Sequence, residues 1–558
     1  MNDIQSKTNI PGAEPVKAAG LRGFWALIVT QFQGAFNDNA LKQLTLFIGI
    51  SLGMGEVEQD RLSSLALALL MLPFLFLSML GGALSTRFSK RSVIVAVKLL
   101  EILIMGVATF GLASHHLGVV LLCVFFMGTH SAIFGPSKYG SLPELLPEKK
   151  LSWGNGMLEL GSFLAVILGT VGGGILSSVF EARPAGAGLV LIGLAVFGLL
   201  TGSAITRVPA ADPTHPLRFN FIGELFSQWR IIRRDRVLRL AVIGNTFFWF
   251  LATLLFLNLF THGRFALNCD KSHISYLMAG LSIGIGIGSV AAGYLSGGKI
   301  EYGLVPLGLV GMTAFSCLLA RPGLGFIGVF WHLAGLGFFA GFFAVPVNAI
   351  MQHRPRKEDK AGILAAANLI SSAGSFLATG VYYLLRFWPH DTRMIFLIGA
   401  SMTLAALAYS IFLLPDALLR FLLWCATHSL YRIRIDGRDH IPDRGGALFV
   451  CNHLSWVDAL LLIASTDRPI RFLMLKEIYE KPWVNWGARI LDIIPISSEQ
   501  RPREMLKSLQ TASDAIRNGE VVCIFAEGQI TRIGQLLPFQ RGMERIMKDV
   551  DAPIVPKR

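Results

Sequence analysis

Between residues 22 and 414 the chain alternates long apolar runs with short polar loops. The runs fall at 23–50, 62–84, 92–113, 117–136, 156–179, 186–205, 238–260, 274–297, 303–321, 324–350, 361–386 and 393–414. Each has the roughly 20 residues that a helix needs to cross the hydrocarbon core of a bilayer. Twelve transmembrane helices are therefore expected. After 414 the pattern changes. Residues 416–433 (DALLRFLLWCATHSLYRI) read as an interfacial helix. From 434 onward, β-like runs such as GALFVCN and EVVCIFAEG alternate with helical ones, among them an apolar helix after Ser455 and another near 502–518. Such alternation predicts an α/β sheet domain.

Composition supports a membrane protein with a modest soluble part: 53% of residues are hydrophobic, 15% are charged, and mean hydropathy is +0.56. The formal charge of +14 does not indicate nucleic acid, because the bases sit in short loops between apolar runs. Basic loops occur at 87–91 (RFSKR), 137–150, 230–239 and 353–360, while alternate loops such as 53–60 (GMGEVEQD) are neutral or acidic. All four basic loops fall on one side of an even-numbered bundle, which places them and both termini in the cytoplasm. The polar start has no apolar signal region, so the first apolar run is expected to be retained. The six cysteines contain no CxxC pair and suggest neither a metal site nor a disulfide framework.

Gly-x-Leu-Ser recurs six runs apart, at Gly82 and at Gly293, which suggests two six-helix halves. The expected organisation is a cytoplasmic tail (1–21), an N-terminal half (22–205), a basic amphipathic linker (206–237), a C-terminal half (238–414), an interfacial connector (415–433) and an α/β domain (434–558).

Asn37-Asp38-Asn39 stands inside the first run. A carboxylate within a span costs about 2.5–3.5 kcal/mol on permissive insertion scales, so it needs a partner or a water-filled cavity. An anionic site lined by amides would suit a lipid headgroup bearing a cationic amine; the competing reading is a packing cluster paired with a neighbouring base. Lys138 and Tyr139 would meet a lipid phosphate at the cytoplasmic mouth, or else simply follow positive-inside topology. Glu159 stands equally for packing and for a substrate path, and Lys98 and Glu101 read as a structural i,i+3 pair. The glycines of GIGIGSVAAG (284–293) suit close helix packing.

The loop GGALSTRFSKR resembles the Gly-x-Leu-Ala-Asp-Arg-x-Gly-Arg-Lys signature of the major facilitator superfamily: Gly82, Leu84, Arg87, Lys90 and Arg91 match, and Thr86 replaces the Asp. The resemblance implies the major facilitator fold, with Gly82, Arg87, Lys90 and Arg91 in a conformational latch. FQGAFNDNALKQ (32–43) and FGPSKYGSLPELLP (134–147) resemble the lysophospholipid transporter branch of that superfamily. This implies that lysophospholipid is flipped to the cytoplasmic leaflet of a bacterial inner membrane. Asn37, Asp38, Asn39, Lys138, Tyr139 and Glu159 are the candidate substrate residues.

In the C-terminal part, His453 and Asp458 form an H-x4-D motif. Residues five apart on a regular helix diverge by about 140°. The two side chains meet only if His453 precedes the helix, with Ser455 as its N-cap. Asp458 would then hold one imidazole nitrogen and leave the other to take a proton from an attacking hydroxyl. NHLSWVD (452–458), RILDIIPIS (489–497), FAEGQITR (525–532) and APIVP (552–556) resemble, in order, the four motifs of the glycerolipid acyltransferase family. Ala526 replaces the usual Pro, Thr531-Arg532 falls later than usual, and Ser497-Ser498 stand in place of Asp-Arg. The form is similar to that of the bifunctional 2-acylglycerophosphoethanolamine acyltransferases.

The resemblance implies His453 as general base and Asp458 as its orienter. Glu527 and Gly528 would shape the acceptor site, with Arg532 and Arg541 on the lysolipid phosphate. The co-substrate would be an acyl thioester of acyl carrier protein or coenzyme A, with no bound cofactor or metal. The chain stops at Arg558, so a C-terminally incomplete domain is expected. Related fusions continue into an acyl-carrier-protein synthetase, which would be a further domain or partner. The expected function is import of lysophospholipid, with lysophosphatidylethanolamine first among candidates, followed by re-acylation. Two rivals remain: an acyltransferase merely anchored by its helices, and a transporter with a vestigial acyltransferase domain.

Overall fold

The computed structural model describes residues 21–217, 221–386, 391–413, 415–430, 441–442, 445–466, 468–496, 502–531, 535 and 537–557. It divides into two compact units, Met1–Leu407 and Ala408–Arg558.

The first unit is helical. Its elements are α1 (Arg22–Ser51), α2 (Glu56–Arg87), α3 (Lys90–Ala113), α4 (Leu117–Leu145), α5 (Leu151–Val179), α6 (Ala185–Ser203), α7 (Phe221–Arg234), α8 (Arg236–Thr261), α9 (Lys271–Leu295), α10 (Leu304–Leu319), α11 (Phe326–His353), α12 (Lys360–Arg386) and α13 (Arg393–Leu413). Setting aside the linker helix α7, twelve helices lie where the apolar runs place them. Among the described residues, ten helices are long and apolar enough to cross a membrane. The other two fall short for different reasons. Helix α1 carries Gln31, Gln33, Asn37, Asp38, Asn39 and Lys42 along its length, and α10 has 16 residues. At 1.5 Å per residue α10 reaches only about 24 Å.

Within the first half α1 packs on α5, α2 on α4 and α3 on α6; within the second, α8 packs on α12 and α11 on both α9 and α10. The halves meet where α5 touches α9 and α2 touches α12, so the second helix of each half meets the fifth of the other. Glycine permits the close approaches. A Cβ added at Gly284 or Gly288 of α9 would lie 2.1 or 2.0 Å from the carbonyl oxygens of Ala334 and Phe338 on α11.

The second unit opens with α14 (Pro415–Leu430) and continues as β1 (Ala447–Cys451), α15 (Asp458–Ser465), β2 (Ile470–Leu475), α16 (Lys476–Tyr479), α17 (Pro482–Ile490), β3 (Ile494–Ile496), α18 (Pro502–Arg517), β4 (Val521–Phe525), α19 (Gly542–Ile546) and β5 (Ile554–Lys557). The strands form one parallel sheet in the order β3-β2-β4-β1-β5. Side chains alternate across it with period two. Ala447, Phe449, Cys451, Val521 and Cys523 face one way, against Leu423 of α14 and Ile463 of α15. Leu448, Val522 and Ile524 face the other way, against Leu509 and Ile516 of α18 and Ile546 of α19. The connection leaving β1 crosses to β2 on the first face, and the one leaving β4 crosses to β5 on the second. These adjacent strands therefore open a crevice at their carboxyl ends, which is where parallel sheets bind ligands.

Candidate functional site

His453 follows β1 and Glu527 follows β4, so both flank that crevice. The carboxylate of Asp458 organises the loop: its Oδ2 accepts hydrogen bonds from the backbone N–H of Leu454 (2.7 Å) and of Ser455 (2.8 Å). The same oxygen lies 3.0 Å from Nδ1 of His453. A carboxylate only accepts, which puts the imidazole proton on Nδ1 and leaves Nε2 with its lone pair. The ring lies flat on Phe525, centroids 4.0 Å apart at 16°. Pairing fixes one edge of the imidazole and stacking fixes its plane. Both side chains keep a little under a fifth of their surface exposed, so a substrate hydroxyl has access.

One local expectation is corrected. Ser455 is not the N-cap, because α15 starts at Asp458 with Val457 ahead of it. The Ser455 hydroxyl instead accepts from the Val457 N–H at 3.3 Å. The physical reason is that the Asp458 carboxylate gathers the loop amides itself, and the turn closes around it rather than around Ser455.

Glu527 is 1% exposed and ties the site together, accepting from His453 N–H (3.4 Å) and Leu537 N–H (3.2 Å). Gly528 has φ +70°, a left-handed turn that disfavours a side chain. The Gln540 N–H donates to Ala526 O at 2.8 Å, which brings the exposed Arg541 to the same turn. Arg532 lies outside the described residues, as do Ser497 and Ser498. A group that sequence reasoning did not assign is Thr531. Its N–H donates to His453 O (2.9 Å), and its buried Oγ1 has no partner among the described residues. Its displacement from the usual motif position was the only signal available. Cys451 and Cys523, with sulfurs 3.7 Å apart, are core residues. Burial pushes the Cys523 thiol well above its ordinary range, so it is no nucleophile.

We expect Asp458→Asn to leave the domain folded and to lower acyl transfer by roughly 10²–10⁴-fold, because an amide turned toward Nδ1 selects the wrong tautomer. Turnover measured beside the melting temperature checks this. A loss below tenfold would remove Asp458 from the orienting role.

Among the described residues of the membrane unit, the candidate transport residues fall in two buried polar clusters. In the first, Glu101 of α3 accepts from Lys98 Nζ (2.7 Å), Gln33 Nε2 (2.8 Å) and Asn37 Nδ2 (2.9 Å), and His130 Nε2 lies 3.3 Å away. Lys98 also donates to Gln33 Oε1 at 2.8 Å. Asn37 thus belongs to a network whose members Gln33 and His130 sequence reasoning did not assign. Asp38 turns elsewhere: Oδ2 accepts from Ser131 Oγ (2.8 Å), and Oδ1 is buried without a partner. Asn39 bonds to Ala35 O and accepts from Lys42. In the second cluster Glu159 of α5 accepts from Tyr139 (3.2 Å) and from Asn348 of α11 (3.3 Å), bridging the two halves. Lys138 lies 4.4 Å over the Tyr139 ring and is coupled electrostatically to both Glu159 and Asp38.

Residues 25–379 match the family model for the Major Facilitator Superfamily, well over half of the chain. The chain belongs to the major facilitator superfamily. Residues 432–558 match the Acyltransferase family model, so this superfamily member is also an enzyme with a C-terminal acyltransferase domain. The chain is 31% identical over 374 residues to "Lysophospholipid transporter LplT" of Klebsiella pneumoniae (strain 342), covering 65% of this chain and 88% of that protein. It is 29% identical over 368 residues to the protein of that name from Cronobacter sakazakii (strain ATCC BAA-894), with the same coverage. Among solved structures, FucP in the outward conformation aligns with TM-score 0.56 and 14% identity, covering 70% of this chain and 98% of that one. The human organic anion transporter MFSD10 aligns with TM-score 0.56 and 16% identity over 71% and 100%. The expected fold is therefore the one found: a multi-pass major facilitator bundle followed by an α/β acyltransferase domain.

In this superfamily member the candidate latch residues separate. Gly82 presses against α12, where an added Cβ would lie 2.6 Å from that of Ala365. Lys90 pairs with Glu144 at the end of α4, and Arg87 lies over the Phe88 ring. Arg91 lines an open groove of about 410 Å³ with Ser203 and Arg207. Thr86, in place of the superfamily's Asp, turns its hydroxyl to Gly82 O (3.0 Å), and its backbone carbonyl accepts from the Asp212 N–H of the linker (3.0 Å).

Proposed function

We propose that the membrane unit moves lysophospholipid to the cytoplasmic leaflet and that the second unit re-acylates its free hydroxyl from an acyl thioester. The observation that carries this reading is the imidazole held by Asp458 with Nε2 free, on one chain with a bundle similar to lysophospholipid transporters. Nε2 takes the proton of the lysolipid hydroxyl as its oxygen attacks the thioester carbonyl. The thiolate then leaves and is reprotonated by the imidazolium. Glu527 and Gly528 hold the loop that faces the acceptor, and Arg541, with Arg532, neutralises its phosphate. Acyl carrier protein and coenzyme A both supply the required thioester.

For the transport step, the unpartnered Asp38 Oδ1 and the nearby Lys138 ammonium offer opposite charges to one headgroup. That combination fits the zwitterion of lysophosphatidylethanolamine, amine to Asp38 and phosphate to Lys138. Glu159, bonded across the halves to Asn348, would sense which way the bundle is open. The candidate latch runs from Gly82 and Arg87 in the last turns of α2, which meets α12, to Lys90 and Arg91 at the start of α3. The basic loops support an orientation with both termini in the cytoplasm of a bacterial cell. Covalent linkage then raises the local concentration of delivered lipid at the enzyme.

The test is reconstitution in vesicles with labelled lysophosphatidylethanolamine outside and, in separate arms, acyl-coenzyme A or acyl carrier protein thioester inside. Labelled diacyl product is expected inside. Asp38→Ala or Lys138→Ala should lower uptake at least about tenfold, the scale of one lost charged contact, while acylation of lipid already inside persists. Unchanged uptake in both variants would misplace the transport site. Product without uptake would favour the anchored enzyme, and uptake without product would favour the vestigial domain.

A further inference from the structure

The acyltransferase unit exposes aromatic surface that a water-facing domain does not carry. Trp456, Trp483 and Trp486 are 68%, 79% and 67% exposed. Soluble surfaces seldom expose large apolar groups together unless they bind something. Trp483 and Trp486 are three apart on α17, so they share the outer stripe of that helix while Ala488 packs inward. Trp456 sits just ahead of α15, in the loop that carries His453, beside Leu454, itself 52% exposed. Helix α14 packs against both α15 and α17 and adds exposed Leu422 and Leu430. The crossovers place α15 and α17 on one face of the sheet, and α18 and α19 on the other.

We propose that this layer, α14 with α15 and α17, is a bilayer-docking face. Its occupant is the interfacial zone of a membrane containing anionic lipid. Three observations select a lipid surface over a protein partner. Tryptophan is the side chain that favours the headgroup level, apolar body in and N–H toward water. Lys476, Lys481 and Arg489 border the layer, make no ion pair among the described residues and outnumber the exposed Glu477 and Glu480 beside them, which leaves a net positive edge for anionic headgroups. The layer also begins immediately after a membrane helix, since α14 starts at Pro415 and α13 ends at Leu413. Docking would hold the His453 loop at the depth of the lysolipid glycerol, so that the acceptor enters sideways from the leaflet without leaving it. This inference rests on the acyl-transfer reading for its purpose, though not for its geometry.

The full chain in nanodiscs exposes both leaflets, so transport is not needed to present substrate. The probes are long-chain lysophosphatidylethanolamine in discs containing anionic lipid, and a short-chain, water-soluble analogue. Trp483→Ser/Trp486→Ser should slow acylation of the embedded acceptor at least about tenfold, through loss of local acceptor concentration, with the soluble acceptor unchanged. Equal losses on both acceptors, or none on either, would overturn the proposal. A wild-type chain inactive on both would instead sink the acyl-transfer reading. In that event a second measurement still decides. The fluorescence difference between wild type and Trp483→Phe/Trp486→Phe should be quenched by lipids brominated near the headgroup. Quenching by aqueous acrylamide alone, or by neither agent, would place these rings in water or against protein and refute docking.

Discussion

His453→Ala is expected to abolish acyl transfer, with turnover falling by roughly 10²–10⁴-fold or more, while lysolipid uptake stays at the wild-type level. On the proposed mechanism the loss is large because the variant removes the proton acceptor itself, and no other described residue of the crevice replaces it. Among the described residues, the neighbouring carboxylates are Asp458 and Glu527, and both already accept backbone N–H groups. Cys451 and Cys523 are buried in the core. The measurement is acylation of lysophosphatidylethanolamine by wild-type and variant proteoliposomes of equal protein content. Residual turnover within a few-fold of wild type would mean that the hydroxyl is activated elsewhere. A parallel fall in uptake would mean that the substitution had damaged the whole chain.

Lys98→Met is expected to destabilise the membrane unit by about 3–5 kcal/mol, the usual consequence of leaving one member of a buried ion pair uncompensated. Lys98 and Glu101 are both 0% exposed, so water cannot take over from the missing ammonium. Gln33, Asn37 and His130 would still approach Glu101, but only the lysine brings a permanent charge. Lys98→Met/Glu101→Gln should recover much of the loss, because it removes both charges and keeps an acceptor for the two amides. Thermal melting of the purified protein in detergent reads both effects. A single variant as stable as wild type, or a double variant no better than the single, would show that the pair does not hold these helices together.

Much of the candidate catalytic pair was legible because its parts lie close in the chain. His453 and Asp458 are five apart, and the requirement that they meet dictates a loop-to-helix junction. Even so, Ser455 misled: cap preference favours it, but the carboxylate three residues later gathers the free amides first. In the membrane unit the polar residues were visible and their partners were not. Asn37 finds Glu101 across 64 residues, and Asn348 finds Glu159 across 189. No periodicity in an apolar helix says which neighbour its one amide will face. Lys98 and Glu101 were read correctly as a pair, yet the pairing drew in Gln33 and His130 only when α1, α3 and α4 came together.

The sequence by itself determined that this chain crosses a membrane many times and ends in an α/β domain. Span length and strand alternation are local properties, set by the cost of exposing apolar groups to water and backbone groups to lipid. It also determined the chemistry on offer at the H-x4-D motif. Only the tertiary structure decided that β1 lies beside β4, which brings Thr531 and Glu527 to His453 from more than 70 residues away. It alone decided that the Asp38 carboxylate turns to Ser131 and keeps a buried, unpartnered oxygen while the amide N–H groups of its neighbour Asn37 reach Glu101 and Leu191. Those outcomes depend on which surfaces pack, and packing is a property of the whole assembled chain rather than of any window along it.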